Sequence, residues 1–65
     1  MGVRIAPGRD VVVATIEEAS RAVRAAIDAA GMGGTEWYED PHAGRVTVDG
    51  REIARISYNG RAWRP

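Results

Sequence analysis

Two dipeptides, Asp49-Gly50 and Asn59-Gly60, constrain this chain more than any other feature. Each lies between short runs of β-branched and aromatic residues in the stretch VTVDGREIARISYNGRAW, residues 46–63. Asx-Gly at such a boundary is among the strongest short-range signals for a tight β-hairpin. Two hairpins in succession make an antiparallel meander, and several arginines lie along it. The first question is therefore which face of that sheet meets water.

The answer depends on the register at Asp49-Gly50. If the pair forms a two-residue type I′ turn, Val48 pairs with Arg51 and Val46 with Ile53. One face then mixes Val46, Val48 and Ile53 with Arg51 and Arg55. The other mixes Ala54, Ile56, Tyr58 and Trp63 with Arg45, Thr47 and Glu52. A type I turn with a glycine bulge closes a three-residue loop instead and shifts the parity by one. Val46 then shares a face with Ala54, Ile56, Tyr58 and Trp63, and only Glu52 is out of place. Arg45, Thr47, Arg51, Arg55, Ser57 and Arg64 take the other face, with Ile53 alone among them. A one-residue slip flips every side chain, so the cleaner partition favours the bulged turn, with the aromatic face covered and the arginines in water.

The cover is the segment TIEEASRAVRAAIDAAG. Thr15 followed by Glu18 reads as a capping box, and Ile16, Ala19, Val23, Ala26, Ile27 and Ala30 recur at helical spacing as one apolar stripe. Glu17–Arg21 and Arg24–Asp28 form i,i+4 pairs on the opposite side, and Gly31 supplies a left-handed C-cap. Before the helix, VRIAPGRDVVV holds two β-type runs around Pro7-Gly8, a pair suited to a type II turn. A strand is expected at residues 11–13, while residues 3–6 read equally well as a strand or as a tail. After the helix, EWYED reads as a strand and PHAG as a turn. The fold class expected is α+β: one amphipathic helix on a three- to four-stranded antiparallel meander, with a short N-terminal strand, all in a single domain of residues 1–65.

A chain of 65 residues without Leu, Phe or Cys has a thin core and neither a disulfide nor a thiolate zinc site to supplement it. Self-association as a homodimer is the remaining way to bury more apolar surface. The longest aliphatic stretch, VVVA, is far too short to cross a membrane. There is no signal-peptide core, and MGVRIA lacks the hydroxyl residue of a myristoylation site, so a cytoplasmic location is expected. All nine basic residues are arginine, balanced by nine acidic ones. The arginines suit bidentate recognition of carboxylate or phosphate, although the same Arg, Ala, Gly and Val bias is what a GC-rich genome produces. The neutral balance argues against a dedicated nucleic-acid binder.

Catalysis has little to work with. His42 is the single histidine, and it sits in a turn between the apparent strands. Glu36, Glu39, Asp40 and His42 could surround a cation, but strand alternation sends Glu36 and Glu39 to opposite faces. The glycines of GMGG follow a helix, whereas a phosphate loop needs them before one. Neither an enzyme nor a metal or cofactor site is expected. Arg45, Arg51, Arg55 and Arg64 form the candidate partner-binding face, joined by Trp37, because adjacent strand residues point opposite ways and one ring of Trp37-Tyr38 must then lie outside. These residues point to a small protein-binding module with an acidic partner, of the size that phages and plasmids use as inhibitors or regulators. A nucleic-acid-binding regulator reading bases with the arginine face is the alternative.

Overall fold

The computed structural model describes residues 1–64. Its strands are β1 (Gly2–Ala6), β2 (Arg9–Val12), β3 (Arg45–Val48), β4 (Arg51–Ile56) and β5 (Ala62–Trp63), with helices α1 (Ile16–Ala30) and α2 (Gly34–Trp37) between β2 and β3. The strands form one five-stranded sheet in the order β2-β1-β3-β4-β5, every neighbouring pair antiparallel. α1 packs on one face of this sheet, so the chain is an α+β domain. None of its helices is long and apolar enough to cross a membrane among the described residues.

α1 begins and ends where its caps dictate. Thr15 Oγ1 accepts from the Glu18 N–H at 3.1 Å, and the Glu18 carboxylate reaches back to the N–H of Ala14 at 2.8 Å, one residue beyond the usual reciprocal partner. At the other end Gly31 adopts φ 62°, and the Met32 N–H closes onto the Ile27 carbonyl at 3.1 Å. Ala19, Val23 and Ile27 are buried against Val3, Val46, Ala54 and Ile56 of the sheet. The alanine content of the stripe lets the helix approach closely, which suits a sheet whose inward side chains are mostly small.

Residues 3–6, open on sequence grounds, belong to a strand that pairs on both sides. β1 lies between β2 and β3, with Val3 fully buried, and it carries the meander into the N-terminal hairpin. Pro7-Gly8 joins Ala6 to Arg9, with Gly8 at φ 71° as a type II turn requires. The Met1 amino group donates to the Val13 carbonyl, and the Val13 N–H donates to Met1, so the hairpin extends one rung beyond its strands.

Two local expectations are corrected. EWYED is no strand: Trp37 closes the single turn α2, with its N–H on the Gly33 carbonyl at 3.0 Å. Trp37 is only 2% exposed and belongs to the core. Burying a large ring outweighs the strand preference of two aromatic residues in a chain so short of large apolar side chains.

The second correction concerns the Asp49-Gly50 turn. Val48 pairs with Arg51, and Asp49 and Gly50 have φ of 51° and 78°, so the loop has two residues and the type I′ form. Val46 nevertheless faces Ala54, because the extra residue, Ile53, sits inside β4 between Glu52 and Ala54. The parity expected from a bulge is present, and the bulge lies three residues beyond the turn glycine. Moving it there removes one misfit of the bulged-turn register, since Glu52 joins the outer face, and it eases the other, since Ile53, still partly exposed, lines a hollow beside Ile16 and Ala54. The three-residue loop occurs instead at Tyr58-Asn59-Gly60, closed by the Ser57 N–H on the Arg61 carbonyl at 2.8 Å.

Candidate binding surface

The outer face of the sheet, opposite α1, is built by cross-strand register. Arg4 pairs with Asp10, Arg45 with Arg55, and Arg55 with Trp63, while the β1–β3 ladder pairs Gly2 with Thr47 and Val3 with Val46, and the Arg4 carbonyl accepts from the Gly44 N–H. Arg4 and Asp10 thus stand opposite each other on β1 and β2, and Arg45, Arg55 and Trp63 form one row across β3, β4 and β5. Two like charges directly opposite repel, and here Glu52 separates them. Its Oε1 lies 2.8 Å from Arg55 Nη2 and 3.3 Å from Arg45 Nε. The second contact is electrostatic only, since Arg45 Nε–H has no aligned acceptor although it is buried. Arg55 Nη1 also donates to the Pro41 carbonyl at 2.6 Å, and Arg4 is paired with Asp10.

The face ends in an aromatic corner. Trp63 is 56% exposed on the edge strand β5, and the Arg61 guanidinium lies 5.7 Å from its ring centroid. Tyr38, 57% exposed, donates no ring to the core; its hydroxyl accepts from the Tyr58 N–H at 3.0 Å. Tyr38, Tyr58, Arg61 and Trp63 line an open hollow of about 410 Å³. Tyr58 itself is half-buried, with its hydroxyl donating to the Met32 carbonyl at 3.0 Å and its ring beneath Arg24.

Of the residues singled out from the sequence, Arg45 and Arg55 occupy this face together. Arg51 does not: paired with Val48, it takes the parity of the helix side and is exposed there, because the bulge falls after it rather than before it. Arg64 lines the hollow beneath α1 with Ile16, Ile53 and Ala62, since Trp63 has taken the outward position on β5. Trp37 is enclosed and offers no ring to a partner, whereas its neighbour Tyr38 does. Arg4 and Arg61 were not among the expected contacts; Tyr38 is the ring of the Trp37-Tyr38 pair that lies outside, and Trp63, expected on the covered face, stands outward instead. Arg4 was legible in the alternation Val3-Arg4-Ile5, which sends it away from two apolar neighbours. Trp63 carried no such signal, because its facing follows from the loop at Gly60.

His42 is exposed, and its backbone N–H donates to Asp40 Oδ1 at 2.9 Å in a tight turn. Among the described residues no group of three His, Asp or Glu side chains is gathered as a metal site. Comparison with protein-family models, with curated proteins and with solved structures gives no match for this chain.

Proposed function

We propose that this chain is a small, non-enzymatic, cytoplasmic binding module that acts by protein–protein contact, an inhibitor or regulator in type. Its partner surface is acidic. The observation that supports this most directly is Trp63, a large ring left in water on an edge strand, under Arg61 and next to Arg55. Trp, Tyr and Arg are the residues enriched where interfaces concentrate their energy. Arg4, Arg45 and Arg55 against Asp10 and Glu52 leave an excess of positive charge, and Arg61 adds to it. The contact set accordingly centres on Arg45, Arg55, Arg61 and Trp63, with Arg51 and Arg64 outside it.

The proposal includes a homodimer. Ala22, Ala25, Ala26 and Ala29 line an open hollow of about 490 Å³ along the flank of α1, with Ile5 and Met32 at its edge. Small side chains allow a second helix to come close there.

The test compares the wild-type chain with an Arg61→Ala/Trp63→Ala variant, each immobilised and exposed to a lysate of the host. Retention of an acidic protein by the first and its loss from the second is the expected result; identical retention by both sinks the reading. The arrangement of Arg61 over Trp63 beside Tyr38 also matches a platform for stacking an unpaired base. Salt-dependent binding of single-stranded oligonucleotides, lost in the same variant, selects that second reading.

A further inference from the structure

A further hollow, separate from the outer sheet face, opens between the β1–β2 turn and α2. Its cavity volume is about 440 Å³, within the range of roughly 300–1,000 Å³ usual for ligand pockets. Ile5, Pro7, Met32 and Trp37 supply apolar walls, and Glu36, Glu39 and Asp40 supply three carboxylates. No basic side chain lines it. In a chain of zero net charge this concentrates negative potential at one place.

Two of the lining residues also carry polar atoms that folding leaves without partners. Trp37, 2% exposed, has a buried Nε1–H with no acceptor, and Asp40 has a buried Oδ2 with no donor. Unpaired buried polar groups are rare in folded proteins, and each one demands a cause. One unused donor and one unused acceptor on residues that line one hollow match a ligand that brings both a cation and a carbonyl.

We propose that this hollow is a docking site for a polypeptide segment presenting an arginine side chain. The methylene stem lies along Ile5, Pro7 and Met32, as long basic side chains commonly bury their stems. The guanidinium, with several N–H donors in one plane, faces Asp40, Glu36 and Glu39. The carbonyl of the same segment accepts from Trp37 Nε1. Both unpaired atoms are covered in the free chain, so the ligand enters by parting the side chains around the single-turn helix α2.

The test follows the indole N–H resonances of the ¹⁵N-labelled full chain, with Trp37 distinguished from Trp63 by a Trp63→Phe variant. The probes are the capped tripeptide Gly-Arg-Gly and its citrulline counterpart, which has the same shape without the charge. A saturable shift of the Trp37 resonance with the arginine peptide, absent with citrulline, is the expected result. Glu36→Gln/Glu39→Gln keeps an acceptor oxygen for the Gly33 N–H that Glu36 now serves and should weaken the arginine peptide about three- to tenfold, the scale of two exposed charge contacts. No shift at millimolar peptide, an equal shift with citrulline, or unchanged affinity in the double variant overturns the proposal.

Discussion

Arg24 of the helix lies 5.4 Å from the ring centroid of Tyr58 and donates from Nη1 to the Tyr58 carbonyl at 2.6 Å. Its other terminal nitrogen is 3.3 Å from Asp28, the i,i+4 partner expected from the sequence. The exposed side of the helix is thus tied to the turn that precedes β5. The position of Gly60 completes the contact, since a Cβ there would stand 3.1 Å from the Arg24 stem.

Replacing Arg24 by Ala should therefore loosen the Tyr58–Gly60 loop as well as the helix surface. The loss combines a charge-assisted hydrogen bond and a partly exposed cation–π contact, about 1–2 kcal/mol together. Arg24→Lys should recover part of it, because ammonium keeps the charge but not the planar stack. Urea denaturation of the three proteins measures this. A midpoint for Arg24→Ala equal to wild type would show that the clamp carries no stability.

Two glycines with similar backbone angles should respond very differently to substitution. Gly50 has φ 78° and open space around it, so Gly50→Ala bears only the left-handed strain of about 1–2 kcal/mol. Gly44 has φ 74°, but a Cβ there would stand 2.1 Å from the carbonyl oxygen of Ile56. The same residue is hydrogen-bonded to both neighbours, donating to the Arg4 carbonyl and accepting from the Ile56 N–H. Gly44→Ala must push β3 away from β4, in a domain whose small size leaves only a few kcal/mol of stability in reserve. Its thermal melt should lose cooperativity while Gly50→Ala still melts sharply. Similar melts for the two variants would refute the close approach.

The contrast between local and distant signals explains what the sequence made legible. The helix was readable from Thr15 to Gly31 because cap, stripe and C-cap all lie within one segment. The α+β class followed from that helix and two Asx-Gly turns. The one-residue offset in β4 was readable in parity, since Val46, Ala54 and Ile56 demand a common face, but not in position. An offset at Gly50 or at Ile53 satisfies those three residues equally, and Asp49 decides between them by accepting positive φ. Trp37 was misplaced for a different reason. Two adjacent aromatics suit a strand locally, and only packing with Ala43 and Met32 in the assembled core holds the ring inside. Of the binding face, Arg45 and Arg55 were legible from alternation within one hairpin. Arg4 was legible in its own alternation, and the outward facing of Trp63 follows from the loop at Gly60 rather than from its neighbours in sequence.

The helix flank bears on association. If a second copy covers Ala25, Ala26 and Ala29, light scattering at micromolar concentration should give a dimer whose melting temperature rises with concentration. Ala29→Glu places a charge on that exposed flank without touching the core, and should yield a monomer with an unaltered circular dichroism spectrum. A wild-type chain that scatters as a monomer and melts independently of concentration excludes the dimer.

The position of the bulge makes Arg51 and Arg55 unequal, although they sit four residues apart on one strand. Arg51 is exposed near the turn, and none of the ion pairs among the described residues includes it. Arg51→Glu should change stability by no more than about 0.5 kcal/mol. Arg55 is held by Glu52 and by the Pro41 carbonyl, and it faces Arg45 across the ladder. Arg55→Glu removes both bonds and sets a second carboxylate beside Glu52, so it should cost about 1–2 kcal/mol, less in high salt. Binding to an acidic partner should fall sharply for Arg55→Glu, where attraction becomes repulsion on the contact face, and little for Arg51→Glu. Denaturation curves for both variants, beside a binding measurement on each, separate the alternatives. Equal stability costs would return the bulge to the turn, and equal binding losses would return Arg51 to the contact face.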